Sequence, residues 1–159
     1  MEIVRLVIEG AAKPAGSKQA FAMRNRRGEI LTRANGSPIV NVVDACKLGR
    51  QWKDVVRGQA IAQWPRSVRR FEGPVSVLMR FVIARPKSHY GTGRNAGIVK
   101  ASSPRCHVSK PDVLKLTRAV EDALTGLAWT DDAQIVDERI TKAWGLSDRL
   151  EIEIRSLEG

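Results

Sequence analysis

The chain has 159 residues, enough for one domain with a sizeable core and no need of a disulfide or metal staple. Lys and Arg number 27 against 17 Asp and Glu, a formal net charge of +10, which points to a polyanionic partner: nucleic acid or an anionic membrane surface. The membrane reading is the weaker, because no apolar run is long enough to span a bilayer.

MEIVRLVIEG does not read as a signal peptide, having an acid at position 2 and a short apolar run broken by Arg5. It reads as a strand with Val4, Leu6 and Ile8 on one face. Two extended stretches follow, QAFAMRNRRGEILTR and PIVNVVDA. RNRRG at 24–28 has the form of a basic hairpin tip, with Gly28 supplying the turn. Residues 45–64 predict a helix with Asp44 as N-cap and Pro65 as its stop. Leu48, Trp52, Val55, Val56 and Gln59 fall on one side of it. Arg50, Lys53 and Arg57 fall on the other, as a phosphate-binding face or a solvated one.

After Arg66, Arg69 and Arg70, PVSVLMRFVIA predicts a central strand. Val75, Val77, Met79, Phe81 and Ile83 alternate, and the partly apolar second face implies cover on both sides. Residues 85–111 form a long loop with Arg85, Lys87, Arg94, Lys100, Arg105 and Lys110 and no acid. Its GTGRNAG lacks the Lys-Ser/Thr ending of a P-loop, so it reads as a flexible basic flap, with Tyr90 available to stack on a base. Cys46, Cys106, His89 and His107 lack a zinc-site spacing, despite the Cys106–His107 pair. The two thiols read as ordinary ones in a reducing cytoplasm.

A second helix is expected over 113–125, with Asp112 at its N-cap, Gly126 past its end, and a core stripe of Val113, Leu116, Val120, Ala123, Leu124 and Leu127. TDDAQ is a tight acidic loop, IVDERITKAW a strand, and RLEIEIRS a closing strand with Leu150, Ile152 and Ile154 alternating against charge. Two helices cannot cover both faces of a large parallel sheet. The expected fold is therefore α+β, a single domain over 1–159 with a mixed β-sheet and two main helices mostly on one side.

Clustered carboxylates in so basic a chain are a specific combination. A pure phosphate binder gains nothing from acids, whereas a phosphodiesterase uses them to hold Mg²⁺. The candidates are Asp112, Asp131 and Asp132. A helix over 113–125 is about 20 Å long and separates Asp112 from the pair unless the chain folds back. From the residues alone, an N-cap at Asp112 and a turn at Asp131–Asp132 are the simpler readings. Asp122 and Asp137 are acidic neighbours whose roles, surface ion pair or support of the site, stay open.

KPDVLKLTRAVEDALTGLAWTDDAQIVDERITK, residues 110–142, resembles the signature of the RusA family of Holliday junction resolvases. That signature runs Lys-Pro-Asp-x-Asp-Asn-Leu-x-Lys, then Asp-Ala-Leu, then Asp-Asp-x-Gln-Ile/Val. The resemblance implies a RusA-like fold and a homodimeric, Mg²⁺-dependent endonuclease that nicks branched DNA, the four-way junction, in pairs. It maps Asp112 onto the first metal-binding aspartate, Asp132 onto the aspartate of the acidic loop with Asp131 beside it, and Arg118 onto a functional lysine. Arg118 and Lys110 would stabilise charge on the phosphate. Lys115, Arg50, Lys53, Arg57, Lys87, Arg94, Lys100 and Arg105 would, with Lys110, hold the DNA. The chain departs from the pattern at Leu114, where the family has its second aspartate, and at Lys115, where it has asparagine. Leu114 lies about 130° from the core stripe, at 100° per residue, on the side of Arg118 and Asp122. Lys115 helps hold phosphate and repels Mg²⁺. The departure leaves a second reading, a protein that binds branched DNA and cuts poorly or not at all. An unrelated basic RNA-binding protein is a third.

Overall fold

The computed structural model describes residues 2–16, 18–44 and 47–157. Four strands make the main sheet: β1 (Ile3–Glu9), β4 (Val75–Ala84), β5 (Ile135–Gly145) and β6 (Arg149–Ser156). The two between them in sequence, β2 (Lys18–Ala22) and β3 (Val40–Asp44), form a separate antiparallel ribbon. The main sheet runs β1-β6-β4-β5, antiparallel except for the parallel pair β4–β5. With helices α1 (Lys47–Gln63) and α2 (Val113–Leu124), this is the α+β arrangement with a mixed sheet that the sequence predicts.

Register explains the core. Val4, Ile154 and Val77 align across three strands, as do Leu6, Ile152 and Met79, and Ile8, Leu150 and Phe81. All nine side chains are buried. Onto these rows pack Trp52, Val56 and Ala60 of α1 and Leu116, Ala119, Val120, Ala123 and Leu124 of α2. Each helix turns one apolar stripe inward.

The expected cover on the second face of β4 is found at Val82, which is buried, and not along the rest of that face. On its second face Leu78 is 38% exposed and Arg80 is exposed, paired with Glu151 at 3.3 Å. Arg149 also pairs with Glu151, and Arg5 and Arg155 with Glu153. The apolar Leu78 misled the reading, because β6 brings Glu153 alongside it. On α1, Leu48 and Val55 are also exposed, not part of the buried stripe. The predicted N-cap at Asp44 and the thiol of Cys46 lie outside the described side chains.

The hairpin tip at 24–28 forms as expected. Gly28 takes φ +84° and donates to the Asn25 carbonyl at 3.0 Å, while Arg24 donates to the Gly28 carbonyl at 2.7 Å. Along β1, two glutamines of α1 meet the main chain. Gln63 accepts from the Val7 N–H at 2.9 Å and donates to its carbonyl at 2.8 Å. Gln59 does the same to Glu9, at 2.8 and 3.0 Å. At about 0.5 kcal/mol net for each of these partly exposed bonds, replacing both glutamines by alanine should cost about 2 kcal/mol of stability in urea unfolding.

Candidate nuclease site

α2 and its two ends carry most of the predicted site. At the N-terminal end, Asp112 has extended backbone angles and accepts the Leu116 N–H through its carbonyl at 3.2 Å. It occupies the N-cap position, but its side chain makes no capping bond. The carboxylate instead faces Lys115, 3.9 Å away, and is exposed. Two clefts meet at Asp112. One, of about 410 Å³, is lined by Ala12, Lys13, Pro14, Lys110, Pro111, Asp112 and Lys115. The other, of about 600 Å³, is lined by Asp112, Val113, Leu114, Lys115, Ile140 and Lys142. The first is held against the helix by Ala15, whose N–H donates to the Lys115 carbonyl at 2.8 Å. Leu114 is 71% exposed on the rim of the second, where it cannot ligate a metal.

The C-terminal end of α2 gathers a different set. Gly126 takes φ +80° and donates to the Trp129 carbonyl at 2.7 Å, which turns the chain back. Asp131 then opens a short 3₁₀ turn, Asp132–Gln134, by accepting the Ala133 N–H at 2.9 Å. Gln134 closes the capping box by accepting from Asp131 N–H at 3.2 Å, and donates to the carbonyls of Phe71 and Gly73. Asp131 therefore shapes the turn. Lys53, Asp122, Thr125, Thr130, Asp131 and Asp132 line a cleft of about 410 Å³ there.

Asp112 and the Asp131–Asp132 pair thus stand at opposite ends of a helix about 18 Å long. Among the described residues, no group of three or more His, Cys, Asp or Glu is placed to hold a metal ion. Lys53 and Arg57, named as DNA contacts, are engaged with α2 and its C-terminal end. Lys53 pairs with Asp122 at 2.5 Å, and Arg57 donates to the carbonyls of Ala123 and Thr125 at 2.9 Å each. Arg57 so satisfies carbonyls at the negative end of the α2 dipole. Asp137 accepts from the Ser76 hydroxyl at 2.7 Å. Arg50, Lys87, Arg94, Lys100, Arg105, Lys110, Lys115 and Arg118 are exposed.

Residues 85–111, read as a loop, contain two 3₁₀ turns, Lys87–His89 and Gly93–Asn95, and a bridge between Tyr90 and Val99. Lys100 donates through its ammonium to the Ser88 carbonyl at 2.9 Å. His107 is buried against Trp144, ring centroids 4.3 Å apart, and burial with the nearby Lys142 charge lowers its pKa.

The sequence reading missed Lys13 and Lys142 beside Asp112, and a carboxylate pair beside Asp132. Glu121 on α2 and Glu138 on β5 are close neighbours. Burial, Glu138, Asp132 and Asp122 raise the Glu121 pKa to about 7. Burial also raises that of Glu138. Period-2 alternation on β5 with Ile140 and Trp144 was the available signal for Lys142. Glu121 and Glu138 gave none, because they meet only through the pairing of α2 with β5.

A family model described as Endodeoxyribonuclease RusA matches residues 14–155, nearly the whole chain. The chain belongs to the RusA family. A curated relative, "Uncharacterized protein YqaN" of Bacillus subtilis (strain 168), is 32% identical over 85 residues, covering 54% of this chain. The match spans 59% of that relative's length. No helix among the described residues is long and apolar enough to cross a membrane.

The raised pKa of Glu121 fixes a pH effect. The folded chain holds this proton up to about pH 7, whereas the unfolded one releases it near the ordinary glutamate value of 4.5. Stability from this group is present below pH 4.5 and lost as pH rises through 7. Glu121→Gln should therefore flatten the fall in melting temperature between pH 5 and pH 8, read by thermal melts across that range.

Proposed function

We propose that this RusA-family chain is a structure-selective endodeoxyribonuclease that cuts four-way DNA junctions by paired, symmetric nicks. The observation that carries the reading is Asp112, an exposed carboxylate freed from capping duty, set between two clefts that carry Lys13, Lys110 and Lys115. A phosphate-binding surface with an acid at its centre is what phosphodiester hydrolysis needs.

Mg²⁺ does not fit the described residues of one protomer, since its expected ligands stand at opposite ends of α2. A second protomer with its α2 antiparallel to this one would bring Asp112 of one chain towards the Asp131–Asp132 turn of the other, and such a pair could hold the ion. Bound there, Mg²⁺ would offset phosphate charge and activate a water. Arg118, one turn beyond Leu114, and Lys110 stabilise charge on the phosphate. Lys115 and the exposed bases of 85–111, Lys87, Arg94, Lys100 and Arg105, hold the DNA arms, with Arg50 on α1. Lys53 and Arg57 would serve DNA only by leaving their partners on α2. A two-fold enzyme matches the near two-fold symmetry of the junction and its need for two cuts.

The exposed Leu114 favours a second reading, in which the protein retains junctions without cutting them. Purified protein with Mg²⁺ on a synthetic four-way junction, beside a matched linear duplex, separates the two. The nuclease reading expects paired nicks in the junction alone, abolished by Asp112→Asn. Retention without nicks supports the binding protein, and equal cutting of both DNAs removes junction selectivity. Leu114→Asp should raise cleavage at limiting Mg²⁺ by about 10–100-fold, the scale of a ligand or its support, with junction affinity little changed. Binding should fall steeply with salt, as expected for contacts to several phosphates.

A further inference from the structure

On β5, Ile140, Lys142 and Trp144 occupy alternate positions and share one face of the strand. That face receives the segment leading into α2. The half-buried Lys142 donates to the Ser109 carbonyl at 2.7 Å and to the Pro111 carbonyl at 3.0 Å. Pro111 immediately precedes Asp112. Two residues along the strand, Trp144 packs against His107 and His89, with the Arg85 guanidinium 5.4 Å from its ring centre. Arg85 also donates to the Pro104 carbonyl at 3.1 Å. Cations from β5 and from the end of β4 thus hold carbonyls at both ends of 104–111.

The bonds at 109 and 111 bear on the site because α2 holds the Asp112 carbonyl but gives its carboxylate no hydrogen bond. Its carboxylate makes no capping bond, and its ion partner Lys115 is itself exposed and 3.9 Å away. The direction in which the carboxylate leaves the backbone is then set by the peptide before it. Lys142 lines the same cleft as Asp112 and Leu114. An ammonium has three protons, and two of them are engaged by carbonyls here.

We propose that Lys142 is a positioning residue for Asp112, fixing the backbone at 109–111 so that the carboxylate points into the cleft. Its effect on cutting rests on the nuclease reading above; its hold on the backbone does not. The rival role is a direct phosphate contact. Lys142→Met keeps the length and removes the donors, and Lys142→Arg keeps donors and charge. Both are made in the full chain and compared by hydrogen exchange, junction binding across salt, and single-turnover cleavage with Mg²⁺.

Positioning predicts faster amide exchange at 109–116 in Lys142→Met, with β6 unchanged. Junction affinity and its salt slope should stay near the parent's while cleavage falls about 10–100-fold, and Lys142→Arg should restore most of the loss. Unchanged exchange at 109–116 overturns the proposal. So does a salt slope lowered by about one, with binding lost as far as cutting, since that marks a phosphate contact. If Lys142→Met does not fold, Lys142→Gln carries the same comparison. A parent chain that never cuts the junction removes the nuclease reading alone, and exchange at 109–116 then decides the positioning role.

Discussion

Two parallel strands cannot be joined by a tight turn, and the parallel pairing of β4 with β5 governs this molecule. After β4 the chain must travel back the length of the sheet before β5 can begin. Residues 85–134 make that return, and α2 is its rigid part. Once α2 lies across the sheet with Leu116, Val120 and Leu124 buried, its ends are fixed some distance apart. The acids just before the helix and those just after it are kept separate by the element that orders them. Within one protomer they do not meet.

Charge follows the same geometry. The C-terminal end of α2 is crowded with carboxylates and answered by Lys53 and Arg57 from α1. Its N-terminal end is crowded with lysines around one carboxylate. The excess of base over acid is therefore not spread evenly along the helix. The lysines make the Asp112 end the electropositive one, while burial and the neighbouring carboxylates raise the pKa of Glu121 at the other.

Much of this was legible in the sequence. Alternation on β1 and β6 marked Val4, Leu6, Ile8, Leu150, Ile152 and Ile154, and all are buried. The stripe on α2 was read correctly at Leu116, Val120, Ala123 and Leu124 because a 3.6-residue period leaves little choice of face. Local pattern failed where the answer lay across the fold. Leu78 looks like a core residue until β6 brings Glu151 and Glu153 alongside. Lys53 and Arg57 look like a free basic face until the end of α2 arrives beneath them. The motif named Asp112, Asp131 and Asp132, but not which side chains stay free: Asp131 shapes its own turn, whereas Asp112 does not cap its own helix.

The glutamines along β1 have a bearing on how copies of this chain can associate. Their side-chain amides occupy main-chain groups that an added strand would otherwise use, like a strand one residue wide at two points. The sheet thus has one blocked margin and one at β5. A sheet extended on a single side joins a second sheet edge to edge about a two-fold axis and cannot propagate further. Edge pairing of this molecule would end in a closed pair instead of a fibre.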